Sequence, residues 1–208
     1  MLKHDTIYAL ATPNGRSAIA VFRISGKNCI KIIKKITLLE KIEANKSINA
    51  SIYLDKKNKE ILDNGILTFF KKPKSYTGED LLEVGVHGGF SIISDFIKLM
   101  DKTNLCRIAN KGEFTRRAFE NNKMDLTQAE AVIDLVSAET SKQRALAINQ
   151  LRGKLGDKTL DWEKKIKNIL ANVEAIIDFS EDDIPDNLNK ILKEQTKNII
   201  IELKNFID

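Results

Sequence analysis

The stretch Leu81-Leu82-Glu83-Val84-Gly85-Val86-His87-Gly88-Gly89 decides how this chain is read. Side chains of a β-strand alternate between two faces. Leu82, Val84 and Val86 therefore share one face, and Glu83, Gly85 and His87 share the other. A carboxylate, a bare backbone position and an imidazole line one surface. The same alternation runs through the stretch from Ala18 to Ser25. Ala18, Ala20, Phe22 and Ile24 face one way, and Ile19, Val21, Arg23 and Ser25 the other. Further strands are expected at Thr6–Ala11, Ile48–Leu54, Gly65–Phe70 and Leu105–Ala109. Apolar residues at helical spacing predict helices over Asn28–Leu39 and Phe90–Met100, the latter with Ile93, Phe96, Ile97 and Met100 on one face. The first half thus reads as an α+β domain, a mixed sheet with flanking helices.

The second half reads as helical throughout. Thr127-Gln128-Ala129-Glu130 and Thr140-Ser141-Lys142-Gln143 are capping-box patterns. From Ala145 to Ile176 a near-heptad apolar stripe continues through Leu151, Trp162, Ile169 and Val173. If unbroken from Thr140 to Phe179, this helix would run about 60 Å. Gly153 and Gly156 weaken it locally, and Glu181-Asp182-Asp183 with Pro185 should end it. Leu188–Ile207 supplies one more amphipathic helix. These helices make a poor closed bundle, so the helical domain reads as incomplete. The expected division is residues 1–118 and residues 119–208.

The 208 residues carry a net charge of +5, unevenly spread. Residues 1–126 hold 22 Lys and Arg against 14 Asp and Glu, whereas residues 127–208 hold 12 against 15. A basic first half suits an anionic partner, either a polyanion or a small carboxylate. No apolar run reaches the roughly 20 residues that span a bilayer, so no membrane partner is expected. Cys29 and Cys106 lie far apart without metal spacing, which reads as reduced thiols in a cytoplasmic protein and no metal site.

Two side chains carry possible chemistry. Glu83 could accept two parallel N–H bonds from an amidine-like edge, such as that of a pterin. Arg23 lies on the Ile19/Val21 face of its strand and needs a carboxylate, either internal or on a ligand. Lys123, in the polar turn Asn121-Asn122-Lys123-Met124-Asp125, is by itself an ordinary solvated lysine. No P-loop is present. Gly26-Lys27 is followed by Asn28, and Val21 stands where the first glycine should be.

Four blocks belong together: Thr12-Pro13-Asn14-Gly15-Arg16, Ser75-Tyr76-Thr77-Gly78-Glu79-Asp80, His87-Gly88-Gly89, and Gly112-Glu113-Phe114-Thr115-Arg116-Arg117 running to Asn122-Lys123-Met124-Asp125-Leu126. In this order they resemble the MnmE (TrmE) family of tRNA-modification GTPases. The resemblance implies an amino-terminal domain of the folate-binding T-protein type. That domain would bind a tetrahydrofolate derivative (5,10-methylene- or 5-formyl-tetrahydrofolate) and form a homodimer. The family's folate-contacting positions match Arg23, Glu83 and Lys123. GTP, Mg and K would belong to a GTPase domain that this sequence lacks. With MnmG, the whole enzyme is expected to modify C5 of the wobble uridine (U34) of certain tRNAs. No residue here is an obvious nucleophile, so no catalytic residue is assigned. Ser17 and Ala18 replace two glycines usual in the family, and Val86 precedes His87 where glycine is usual. Either change could reshape a pocket wall. The alternatives are a non-catalytic tRNA-binding module and an oligomerisation module built on the apolar stripe.

Overall fold

A six-stranded sheet carries the first half of the chain. The computed structural model describes residues 5–178 and 187–207 and divides into two units, Met1–Met124 and Asp125–Asp208. The sequence reading set this division earlier, after Ala118. In the first unit β1 (Ile7–Leu10) and β2 (Ser17–Ser25) precede α1 (Cys29–Ile36). The pair β3 (Ser47–Asp55) and β4 (Glu60–Phe70) leads to β5 (Leu81–Gly88), α2 (Phe90–Thr103), β6 (Arg107–Ile108) and α3 (Glu113–Glu120). The strand order is β3-β4-β5-β2-β1-β6. Neighbours are antiparallel except β1 and β6, which run parallel, so the sheet is mixed as the sequence implied.

The alternation read from the sequence sets the two faces. Ala20, Phe22 and Ile24 of β2 and Leu82, Val84 and Val86 of β5 are all buried. They pack with Cys29, Ile32, Ile33 and Ile36 of α1 and with Ile93, Phe96, Leu99 and Met100 of α2 in one core. Phe22 and Phe96 stack at its centre, with ring centroids 4.1 Å apart. Each large side chain buried here stabilises the fold by about 1.5–3 kcal/mol relative to exposure. Several elements differ from expectation at their ends. α1 stops at Ile36 rather than Leu39 because the Thr37 hydroxyl turns back onto the Ile33 carbonyl at 2.8 Å. β4 begins at Glu60, five residues early, because pairing with β3 extends into polar residues that carry no apolar signal. β6 keeps only two residues of the expected five.

An ionic cluster fixes α3 and the amino-terminal strand to the loop that precedes β5. Arg117 of α3 is 8% exposed. Its guanidinium donates to the Asp5 carbonyl at 2.8 Å, to Asp5 Oδ1 at 2.7 Å, to Glu79 Oε2 at 3.1 Å and to Glu113 Oε1 at 3.0 Å. Arg107 donates to both Glu113 oxygens, at 2.7 and 2.9 Å, and to Asp5 Oδ2 at 2.5 Å. Ser25 Oγ donates to Glu79 Oε2 at 2.8 Å and shares a 2.7 Å hydrogen bond with Thr77 Oγ1. The Arg107 bonds, against the cost of burial, hold the Glu113 carboxyl down at about 2.

The second unit consists of α4 (Leu126–Ser137), α5 (Ser141–Leu151), α6 (Lys154–Asp178) and α7 (Leu188–Ile207). Among the described residues it is wholly helical. The Thr140/Gln143 capping box forms as expected. The first box is displaced. Asp125, not Thr127, is the N-cap, and it pairs with Gln128 as the third helical residue. Thr127 instead donates its hydroxyl to Asp125 Oδ1 at 2.7 Å. A carboxylate accepts the helix N–H groups better than a hydroxyl does and also suits the positive end of the helix dipole. Two glutamines then tie α4 to α5 reciprocally. Gln128 donates to the Leu151 carbonyl and Gln150 to the Thr127 carbonyl, each at 2.9 Å. The expected continuous 60 Å helix is broken at Gly153, whose φ of +81° ends α5 in the left-handed region open to glycine. Gly156 is needed for a different reason, since a Cβ there would lie 2.5 Å from Asp125 Oδ2. α6 packs on α7 through Trp162, which meets Phe206 edge to face at 5.2 Å and donates to Glu202 at 3.3 Å. Of the apolar stripe, Ile166 and Val173 remain exposed and Ile148, Leu151, Leu155, Ile169 and Ile176 are only half-buried; Leu170 and Ile177 beside it are exposed as well. The expected stop at Glu181-Asp182-Asp183 and Pro185 lies outside the described residues.

Two outcomes follow for stability. Replacing Asp125 by Ala should cost about 1 kcal/mol, whereas Thr127→Ala should cost clearly less; urea unfolding followed at Trp162, the one tryptophan, reads this unit. Glu113 has a folded pKa near 2, below its ordinary 4.5, so its contribution is complete above pH 4.5 and disappears as pH falls toward 2. Tyr8, Tyr53 and Tyr76 all lie in the first unit, so near-ultraviolet tyrosine signals report it. By that signal Glu113→Gln should be less stable at neutral pH and show a flatter acid dependence than the parent. An unchanged acid profile would contradict the ionic account.

Candidate functional site

Arg23 and Glu83 stand opposite each other on adjacent strands. They are register partners on β2 and β5, on the sheet face opposite the core. The doubt left by the sequence, whether the partner of Arg23 is internal, has an answer here. Arg23 donates from Nε to Glu83 Oε1 at 3.0 Å and from a terminal nitrogen to the same oxygen at 2.7 Å. Both side chains stay about 30% exposed. Because both bonds converge on Oε1, Glu83 Oε2 has no protein hydrogen-bond partner among the described residues, and one terminal guanidinium nitrogen is likewise left over.

Two rings enclose Arg23. Tyr76 lies with its centroid 5.3 Å from the guanidinium carbon, and Phe114 lies at 6.0 Å. The loop before β5 holds Tyr76 in place. The Tyr76 hydroxyl shares a 2.8 Å hydrogen bond with Thr115 Oγ1. The Ser75 hydroxyl closes the turn on the Glu79 carbonyl, and Asn121 donates to the Thr77 carbonyl at 2.7 Å. Lys123, three residues after α3 ends, reaches the same loop. Its ammonium donates to the Pro73 carbonyl at 3.1 Å, and its stem runs beside Gly78. One of its three N–H donors is thus engaged. The structure brings Arg23 and Glu83 into direct contact. Lys123 joins them only through the loop that also carries Tyr76.

Along β5 the open face continues to Gly85 and His87. Gly85 is flanked by its register partners Val21 and Ile66. A Cβ at Gly85 would meet only the Ile66 carbonyl, at an ordinary 3.7 Å. The fold therefore does not demand a glycine there. Ile19, opposite His87, is 62% exposed, and Ile66 is 56% exposed. The face is thus apolar around a bare backbone position, with a charged pair at one end. At the other end Asp63 accepts the His87 backbone N–H at 2.8 Å and faces His87 Nδ1 at 2.9 Å. Burial would raise the Asp63 carboxyl, but these bonds and the Asn64 N–H outweigh it and hold it below its usual range.

Sequence reasoning missed Tyr76 and Phe114 as neighbours of Arg23. They lie 53 and 91 positions away in the chain. Their signal was the shared presence of both blocks, not a local pattern. The Arg117 cluster was missed for the same reason. Its i,i+4 partner Glu113 was legible in α3, but Asp5 and Glu79 were not. Among the described residues there is no group of three or more His, Cys, Asp or Glu placed to hold a metal, and no helix long and apolar enough to cross a membrane.

Comparison with known proteins covers both units. Residues 6–123 match the family model described as GTP-binding protein TrmE N-terminus, and residues 126–208 match that of the MnmE helical domain. The chain is 41% identical to the tRNA modification GTPase MnmE of Pelagibacter ubique over 98% of its own length and 46% of the relative's. It is 38% identical to that of Clostridioides difficile over 100% and 46%. It is 41% identical to that of Aquifex aeolicus over 87% and 40%. The chain spans a little under half the length of these relatives. With an α+β unit and a helical unit each matched by its own model, this chain belongs to the MnmE (TrmE) family of tRNA modification GTPases.

Proposed function

We propose that the first unit holds a reduced folate on the open face of its sheet and presents the one-carbon group for modification of the wobble uridine of tRNA. The observation that carries this reading is the spare bonding capacity of Glu83. Its Oε1 is saturated by Arg23, while Oε2 points no bond at the protein. A pterin edge is a row of N–H donors and matches a fixed carboxylate oxygen. The bare strip at Gly85, with Val21 and Ile66 beside it, suits a flat apolar ring. The remaining guanidinium nitrogen of Arg23 and the two further donors of Lys123 suit ligand carboxylates. A bound tetrahydrofolate would supply the carbon unit. The residues of this chain bind and orient it, and the ring faces of Tyr76 and Phe114 keep Arg23 aligned.

The relatives are named as tRNA modification GTPases, so the complete reaction requires GTP hydrolysis. In this reading GTP, with Mg and K, acts in a separate GTPase domain, and MnmG joins the reaction on C5 of U34. The first unit also pairs with a second copy of itself, in a cytoplasmic enzyme. Oligomerisation through the exposed stripe of α6 is the competing reading, and it predicts no folate dependence of any kind.

Calorimetric titration with 5-formyl-tetrahydrofolate tests the proposal. Saturable binding is expected, weakened at least about tenfold in Glu83→Ala through loss of a charge-assisted bond. Gly85→Val should keep the fold, since a Cβ is tolerated there, yet block the flat ring and abolish binding. Absence of binding by the folded parent chain would overturn the folate reading. Undiminished binding by Gly85→Val would place the ligand elsewhere.

A further inference from the structure

The site on the open face takes only Arg23 and Lys123, so most of the basic surplus of the first half lies elsewhere. Part of it gathers on the other side of the sheet. A pocket of about 200 Å³ lies between the carboxyl-terminal turns of α1 and α2 and the end of β3. Lys35, Lys56, Lys57 and Lys102 line it together with Tyr53 and a single carboxylate, Asp55.

The ordinary explanation of lysines at helix ends is that they cap carbonyls, and two of the four do so. Lys35 donates to the Thr103 carbonyl at the end of α2 at 2.8 Å, and Lys56 donates to the Lys34 carbonyl in the last turn of α1 at 2.9 Å. These bonds spend the negative potential of both helix ends. Asp55 is committed as well. Its oxygens accept from the Lys57 backbone N–H and the Asn58 side chain, each at 2.8 Å, and so hold the turn. The pocket therefore keeps Lys57 and Lys102, both exposed and without an ion-pair partner among the described residues, over a wall already neutralised. Lys31, Lys34 and Lys59 are exposed nearby in the chain and add to the same sign.

We propose that this pocket is a second binding site, which takes the ribose-phosphate backbone of an RNA. Lysine ammonium groups neutralise phosphate as point charges, and a half-buried tyrosine among them offers a face to an unstacked base or a ribose. A cavity of about 200 Å³ has room for a phosphate with its sugar. Base identity is not read there. The site positions RNA, and it lies across the sheet from Arg23 and Glu83, so the two bind independently. The inference does not require that folate be the ligand of the open face.

Fluorescence anisotropy with a labelled RNA hairpin, over a series of salt concentrations, tests it on the full chain. The double variant Lys57→Glu/Lys102→Glu should bind about tenfold more weakly at low salt, and its slope of log affinity against log salt should be shallower by about 1.5. The control Lys27→Glu/Lys111→Glu reverses two exposed lysines elsewhere in the same unit and changes net charge equally. It should keep the parent slope. Circular dichroism of all three establishes that they fold alike. Equal losses in the two variants would overturn the site, since net charge alone would then explain binding. Binding to anionic phosphatidylserine vesicles, with the same dependence on Lys57 and Lys102 and stronger than to the hairpin, would overturn the assignment to RNA.

Discussion

The first unit depends on one guanidinium. Arg117 binds Asp5, Glu79 and Glu113, which come from the segment before β1, the loop before β5 and its own helix. Without it three carboxylates, between 11% and 24% exposed, would stand together with Arg107 alone to balance them. Removing one partner from a half-buried cluster costs between the roughly 1 kcal/mol of a surface pair and the roughly 3–5 kcal/mol of a fully buried one, because the remaining charges lose counter-charge that water only partly replaces. The consequence for function is geometric. Glu79 is held by Arg117, Thr77 is held by Ser25, and Tyr76 lies in the same short loop. The position of the Tyr76 ring over Arg23 is therefore set by a charge pair on the far side of the loop. The carbonyl of Pro73, which receives Lys123, belongs to that loop too. The cluster is thus the hinge pin of the site, although no member of it faces a ligand.

The sheet keeps two kinds of chemistry apart. Its inner face is apolar and packed under α1 and α2, with Phe22 stacked on Phe96. Its outer face is only partly covered, and there the register pairs Arg23 with Glu83, Val21 with Gly85 and Ile19 with His87. A shift of β5 by one residue would bury Glu83 and His87 and expose Leu82, Val84 and Val86, at a cost far beyond the stability of a domain of this size. The same alternation that builds the core therefore fixes which side chains are offered outward. Fold and site are specified by one pattern.

That pattern was legible before any coordinates. The faces of β2 and β5, the helix after Gly89 and the Thr140 capping box follow from spacing within a few residues, where local rules hold. Three things were not legible in this way. The box at α4 formed at Asp125 rather than at Thr127, because a carboxylate at the helix start accepts the free N–H groups better than a threonine hydroxyl does. The long apolar stripe hid the break at Gly153, because heptad spacing persists across a single left-handed residue. The partners of Arg117 are separated from it by 112 and 38 positions, and no periodicity reaches so far. Arg23 shows where the boundary lies. Its need for a carboxylate was evident from its face of the strand. That the carboxylate is Glu83, the residue singled out beside it for ligand binding, required the register of two strands 60 positions apart.

An arginine already paired with a glutamate can look like a site that the protein has closed against ligands. The energetics argue otherwise. Both side chains remain about 30% exposed, and an ion pair at that depth contributes only about 1 kcal/mol or less to stability. The fold gains little by placing it there. Under the proposed folate reading a ligand would gain more. A free arginine and glutamate would each lose rotamer freedom on binding, roughly 0.5–1.5 kcal/mol per side chain, whereas here that loss is incurred on folding. The two Arg23 bonds converge on Oε1 and leave Oε2 fixed in direction, and the rings of Tyr76 and Phe114 fix the plane of the guanidinium. A lysine at position 23 would keep the charge but not the two-nitrogen grip, and Glu83 would then be free to rotate. The pair is a preorganised acceptor–donor unit, half-exposed and with one oxygen and one nitrogen left without a protein partner among the described residues, which is what the proposed folate site requires.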